Sequence, residues 1–191
     1  MRAYHFTGAT LRDGTPIPAI GEWLQYSGPL VPCESGLHAS EHPFDALQYA
    51  PGNLLHFVEI DGDIQTHGDP IDKVVGRRRT IIATIDAEPI MREFARWCAL
   101  RVVHLWDCPQ IVWEYLKTGD ESKRAAAQGA ARDAARAAAG DAAGSAAGSA
   151  AGSAAWAAAW AAAWAAAGDA ARAANRAKFK DMVEAAFNEE G

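Results

Sequence analysis

The chain has 191 residues and a net charge of −6, from 18 Lys and Arg against 24 Asp and Glu. The charge is spread along it: the first 117 residues carry 10 basic and 15 acidic side chains and the remainder 8 and 9, which excludes the clustered basic excess of a nucleic-acid-binding surface. Three cysteines, Cys33, Cys98 and Cys108, odd in number and irregularly spaced, exclude a disulfide framework; with an N-terminus lacking the apolar run of a signal peptide, they set a reducing, cytoplasmic location as the expectation.

The segment "RAYHF" predicts a first strand, closed by the turn-rich "TGATLRDGTP". "EWLQY" and "GLHAS" predict two further short strands. "EHPFDALQYA" predicts a short helix with Pro43 in its first turn, ended by Pro51-Gly52. "LLHFVEI", apolar at both parities, predicts a strand central to a sheet. A loop is expected from the "DGD" turn to about Pro70. A single strand is expected over "KVVGRRRTIIATI", with Arg77, Arg78 and Arg79 at its start or bend and facing solvent. "EPIMREFARWCALRVVHLW" predicts a long amphipathic helix, and "PQIVWEYLKTG" a shorter one stopped at Gly119. The expectation is an α+β fold: a small mixed-sheet domain of four to six strands and three helices over residues 1–119, able to fold alone.

From Ala125 the composition shifts to a four-residue repeat dominated by Ala, until ordinary sequence resumes after Lys178. Residues 120–191 are therefore expected to be a helical arm, either a hairpin or one long rod, because Ala has the highest helix propensity. Four residues advance a helix by 400°, so Trp156, Trp160 and Trp164 form a ridge, and Gly144, Gly148 and Gly152 form a groove bare of side chains. Ridge against groove predicts helix pairing within one chain or between two, with Asp133 near Arg172 and Arg176. The 27 uncharged residues between Asp141 and Asp169 are long enough to span a bilayer. Ala, Gly and Ser drive insertion weakly, however, and self-association or a protein partner is the expectation rather than a membrane.

Among sites, Cys33-His38-His42 and Cys98-His104-Cys108 lack the paired spacing of structural zinc sites, so no metal is expected. No phosphate-binding glycine loop or serine-nucleophile elbow is present. Asp61 and Asp63 sit in a turn, where a hairpin corner would use them.

Three segments, "AYHFTG", "SGLHASEHPFDALQYA" and "LLHFVEIDGDI", resemble in layout the NAD-binding half of ADP-ribosyltransferases. That resemblance implies His5 on the nicotinamide ribose, Tyr49 against the nicotinamide ring, and His38 on the second strand beside Ser40. Two departures stand out: Phe6 follows His5 where the family has Gly, and "KVVGRRRTIIATI" has no Glu where many members carry the catalytic acid. Residues 1–85 also resemble an uncharacterised domain family of phages and bacteria, which places an N-terminal module before low-complexity repeats.

Two functions follow as expectations. One is an accessory protein that works by protein–protein interaction or self-assembly and needs no cofactor. The other is an ADP-ribosyltransferase-like enzyme or NAD-binding module, with catalytic and cofactor-binding candidates His5, His38, Ser40 and Tyr49.

Overall fold

Strand alternation, not length, organises the N-terminal half. In the computed structural model, which describes residues 1–139 and 169–189, seven short strands form two sheets. The strands are β1 (Arg2–Thr7), β2 (Trp23–Gln25), β3 (Leu37–Ala39), β4 (Leu54–Asp61), β5 (Gln65–Gly68), β6 (Ile71–Gly76) and β7 (Arg78–Asp86). The first sheet runs β1-β4-β7-β2 and the second β3-β6-β5. Every strand pairing is antiparallel, so the expected mixed sheet is corrected to two antiparallel ones. Helix α1 (Pro43–Leu47) starts as predicted, with His42 Nδ1 accepting from the Phe44 N–H at 3.1 Å.

Two expectations fail for identifiable reasons. The loop expected after "DGD" contains β5, whose four residues are all exposed and polar or small, leaving no apolar alternation to reveal it. "KVVGRRRTIIATI" is two strands, because the chain leaves the second sheet for the first at Gly76. A Cβ there would stand 2.8 Å from Ile60 Cγ1 and 2.9 Å from the Asp61 carbonyl oxygen, so only glycine allows the crossing.

The facing sheets bury one apolar layer: Ala3, Val58, Ile60 and Ile81 from the first, Ala39 and Val74 from the second. The other face of the first sheet carries Tyr4 and Phe57, paired across β1 and β4 with ring centroids 5.3 Å apart. The C-terminal helix covers them. Phe179, Val183 and Phe187 recur every four residues on one of its faces. Phe187 lies 6.4 Å from Tyr4 and 6.0 Å from Phe57, and Phe179 meets Phe44 edge-on at 6.2 Å. Phe179 and Val183 are fully buried. Arg176 on this helix forms an ion pair with the buried Asp45 of α1, where the repeat geometry had assigned it to Asp133.

The contacts divide the chain into two compact units, Met1–Pro89 with the residues from Arg176 onward, and Ile90–Asn175. A head over 1–119 and an arm over 120–191 is a different division.

The described residues of the second unit are mostly helical. Helix α2 (Glu88–Val102) ends in a 3-10 turn, Val103–Leu105, short of the expected Trp106. Trp97 stacks on Phe94 at 5.9 Å, and the Arg101 guanidinium lies 4.9 Å from the Trp97 ring centre. Helix α3 (Gln110–Thr118) stops at Gly119 as predicted, and α4 (Arg124–Ala139) is the helical start of the Ala-rich repeat. Lys123–Glu114 and Arg92–Glu121 ion pairs, at 2.7 and 3.1 Å, tie the connection between them. Helix α5 (Asp169–Glu189) closes the described chain.

Trp156, Trp160, Trp164, Gly144, Gly148 and Gly152 lie outside the described residues, as does the uncharged run 142–168. Among the described residues no helix is long and apolar enough to cross a membrane, and no three His, Cys, Asp or Glu side chains are grouped to hold a metal ion.

Candidate functional site

The layer between the two sheets changes character along β1. Ala3, His5 and Thr7 share one face by strand alternation, opposite Val58, His56 and Leu54 in register. Ala3 and Val58 belong to the apolar core, whereas the next pair is His5 and His56, stacked with ring centres 6.4 Å apart. His56 is almost wholly buried and bridges Thr7 Oγ1 through Nε2 and Thr84 Oγ1 through Nδ1, both at 2.8 Å. At this polar end the sheets bound a cleft of about 550 Å3.

Backbone bonds bring the second sheet's edge to β1. Tyr4 N–H donates to the Ser40 carbonyl at 2.7 Å, and Ser40 N–H to the Tyr4 carbonyl at 2.9 Å. That bridge sets β3 beside β1 and His38 beside His5. Gly36 enters β3 with φ +108, and a Cβ there would collide with Val75 Cγ2, so the "GL" step requires glycine. His38 Nε2 accepts from the Cys33 N–H at 3.1 Å, which holds its ring in place.

His5, His38, Ser40 and Tyr49, drawn from β1, β3, the residue after β3 and the turn after α1, all line this one cleft. Tyr49 is 37% exposed, and its hydroxyl donates to Asp72 Oδ2 at 2.6 Å. Burial, then the hydrogen bond and charge of Asp72, raise its pKa. The Lys73 ammonium sits 3.4 Å from the centre of the Tyr49 ring, covering one of its faces, and also donates to Cys33 Sγ at 3.6 Å. Phe6, which follows His5 and also borders the cleft, is buried, and by alternation its side chain lies on the opposite face of β1 from His5.

The electrostatics favour uncharged imidazoles. Burial, then Arg79, the neighbouring histidines and Arg12, hold His5 well below its ordinary range. Burial and then Lys73 lower His38, against an opposing hydrogen bond with the Gly36 backbone. Burial and Arg79 bring His56 down to about 4. A neutral imidazole has one donor and one acceptor nitrogen, which suits it to a ligand hydroxyl rather than to a carboxylate.

Residues 1–93 match the family model described as Domain of unknown function (DUF7666). The matched domain holds both sheets, α1 and every residue lining the cleft. No curated protein and no solved structure matches the chain.

Sequence reasoning missed Arg79, Lys73, Arg12 and Cys33, which line the same cleft. Arg79 was readable: it shares parity with the core residue Ile81, so alternation turns it inward between the sheets. Asp61, the last residue of β4, and Asp63, in the turn after it, are ion-paired with Arg78 and Arg77 respectively.

Proposed function

We propose that the domain over residues 1–93 binds a small ligand of the NAD class, within an accessory protein of phage or bacterial origin. The observation that carries this is the convergence of His5, His38, Ser40 and Tyr49 on one cleft from separate segments. Its volume falls in the range of ligand pockets, about 300–1,000 Å3. Similarity to the ADP-ribosyltransferase layout adds the roles: His5 hydrogen-bonding a ribose hydroxyl and Tyr49 offering its ring face opposite Lys73 to a nicotinamide. The carboxylates on the cleft wall, Asp13 and Glu34, are exposed, and the one acid of β7, Asp86, does not line the cleft and accepts from Asn53 at 2.6 Å. The reading is therefore of a binding module rather than a transferase. Calorimetric titration with NAD at millimolar concentration tests it. Saturable heat in the wild type, weakened at least tenfold by His5→Ala and by Tyr49→Ala, is expected; no heat in the wild type contradicts the reading.

The second unit supports a complementary role in protein–protein interaction or self-assembly. Val102, Leu105, Trp106 and Trp113 are exposed apolar residues close in sequence, with Leu105 70% exposed. Exposed aromatic and aliphatic groups of this kind mark contact surfaces. Light scattering measures the consequence: a mass above that of the monomer, reduced by a Leu105→Ser/Trp106→Ser pair, is expected, and a monomer at all concentrations contradicts it.

A further inference from the structure

We propose that the cleft is an anion site whose ligand carries a phosphate or pyrophosphate group seated on Arg79. The inference deepens the ligand-binding reading above, on which it rests, by naming the chemistry at one end of the ligand.

Three consecutive arginines have three fates. Arg77 donates from Nε to Asp63 at 2.7 Å and from Nη1 to the Gly28 carbonyl at 2.8 Å. Arg78 pairs with Asp61 and lies 5.1 Å from the centre of the Trp23 ring. Both charges are matched. Arg79 alone turns inward, is 6% exposed, and donates through Nη1 to the His38 carbonyl. Among the described residues no carboxylate pairs with it. A guanidinium has five N–H donors in a fork that fits a phosphate bidentately, and one backbone carbonyl leaves most of that fork unused. Burial without a counter-charge is unfavourable enough to bring its pKa down to about 10.

The surroundings reinforce the sign. Arg12 and Lys73 line the same cleft, and the fields of Arg79 and Arg12 are felt at both His5 and His38. Of the two acidic residues on the wall, Asp13 is already engaged by Thr15 through its N–H at 3.0 Å and its hydroxyl at 2.6 Å, and both Asp13 and Glu34 are exposed. A buried cation with spare donors, opening on a cleft ringed by neutral imidazoles and further cations, is complementary to a dianion.

Titration calorimetry of the full chain with inorganic pyrophosphate, NAD and adenosine, on wild type, Arg79→Met and Arg79→Lys, tests this. The wild type should bind pyrophosphate and NAD at least tenfold more tightly than adenosine. Arg79→Met should lower pyrophosphate affinity at least tenfold, and Arg79→Lys should retain part of it. Melting without ligand separates an anchor from a structural staple: Arg79→Met removes an unmatched buried charge and should not lower the Tm, while the ligand-induced rise in Tm disappears. If Arg79→Met does not fold, the Arg79→Lys loss and the pyrophosphate-to-adenosine ratio carry the test. No saturable heat with pyrophosphate overturns the proposal, as does equal pyrophosphate binding by wild type and Arg79→Met. NAD bound equally by these two overturns the anion seat and leaves the cleft reading standing. Arg79-dependent pyrophosphate binding by a chain that ignores NAD supports the anion seat and ends the NAD reading.

Discussion

His56 ties the site to the stability of the sheet. It is buried between Thr7 and Thr84 and held neutral, with a pKa of about 4 against an ordinary 6.5. An unfolded chain takes up the proton first, so the stability associated with neutral His56 is complete above pH 6.5. It is lost as pH falls toward 4, at no more than about 1.4 kcal/mol per pH unit. His5, His38 and His42 are shifted in the same direction. The Tm should therefore decline from pH 7 to pH 4.5, and His56→Gln, which keeps a polar link to the threonines, should make that decline shallower. Equal slopes in the two proteins would remove His56 from this account. At the same scale, Arg176 is the hydrogen-bonding cation for Asp45, whose carboxyl burial already pushes up in pKa. Arg176→Met should destabilise by about 3 kcal/mol, because it strands a buried carboxylate. Adding Asp45→Asn should recover much of the loss in a denaturant melt.

Helix α5 covers the outer face of the first sheet. Phe179 and Val183 are completely buried, and Phe187 caps Tyr4 and Phe57. Phe179→Ala should cost about 3–5 kcal/mol, as for other buried Phe truncations. A chain ending at Gly119 should melt at lower temperature, with a broader transition, than the full chain; an unchanged melt would show that the sheet does not need this cover. The expectation of a 1–119 domain able to fold alone takes no account of that cover, because a helix packing onto residues far upstream leaves no local trace. Other elements are legible for local reasons. Apolar alternation and continuity announce β1, β4 and β7, Pro43 announces α1, and Gly119 announces the end of α3. Polar β5 has no such pattern, and the β6–β7 break depends on a close approach at Gly76 that only the folded chain reveals. The site was half legible: a resemblance gathers His5, His38, Ser40 and Tyr49, while three adjacent arginines read as a solvated run until β7 alternation separates Arg79 from its neighbours.

At the scale of the whole molecule, a sheet-rich N-terminal region precedes helices, and one end of the inter-sheet layer is where its buried polar side chains collect. An apolar layer closed by Ala3, Val58 and Ile81 holds the sheets in register, and the same faces, a few residues further on, present imidazoles, a hydroxyl and an unmatched guanidinium to one cleft. The exposed residues about Trp106 belong to a separate unit, so substituting them should leave ligand binding at the cleft unchanged. The claim that the cleft is a ligand site is tested most directly by nuclear magnetic resonance of the isotope-labelled full chain titrated with NAD. Shift changes should saturate and concentrate at β1, at Gly36–Ser40, at Tyr49 and at the Arg79 side chain. Shifts confined to the Leu105–Trp113 segment, or none at millimolar NAD, would contradict it.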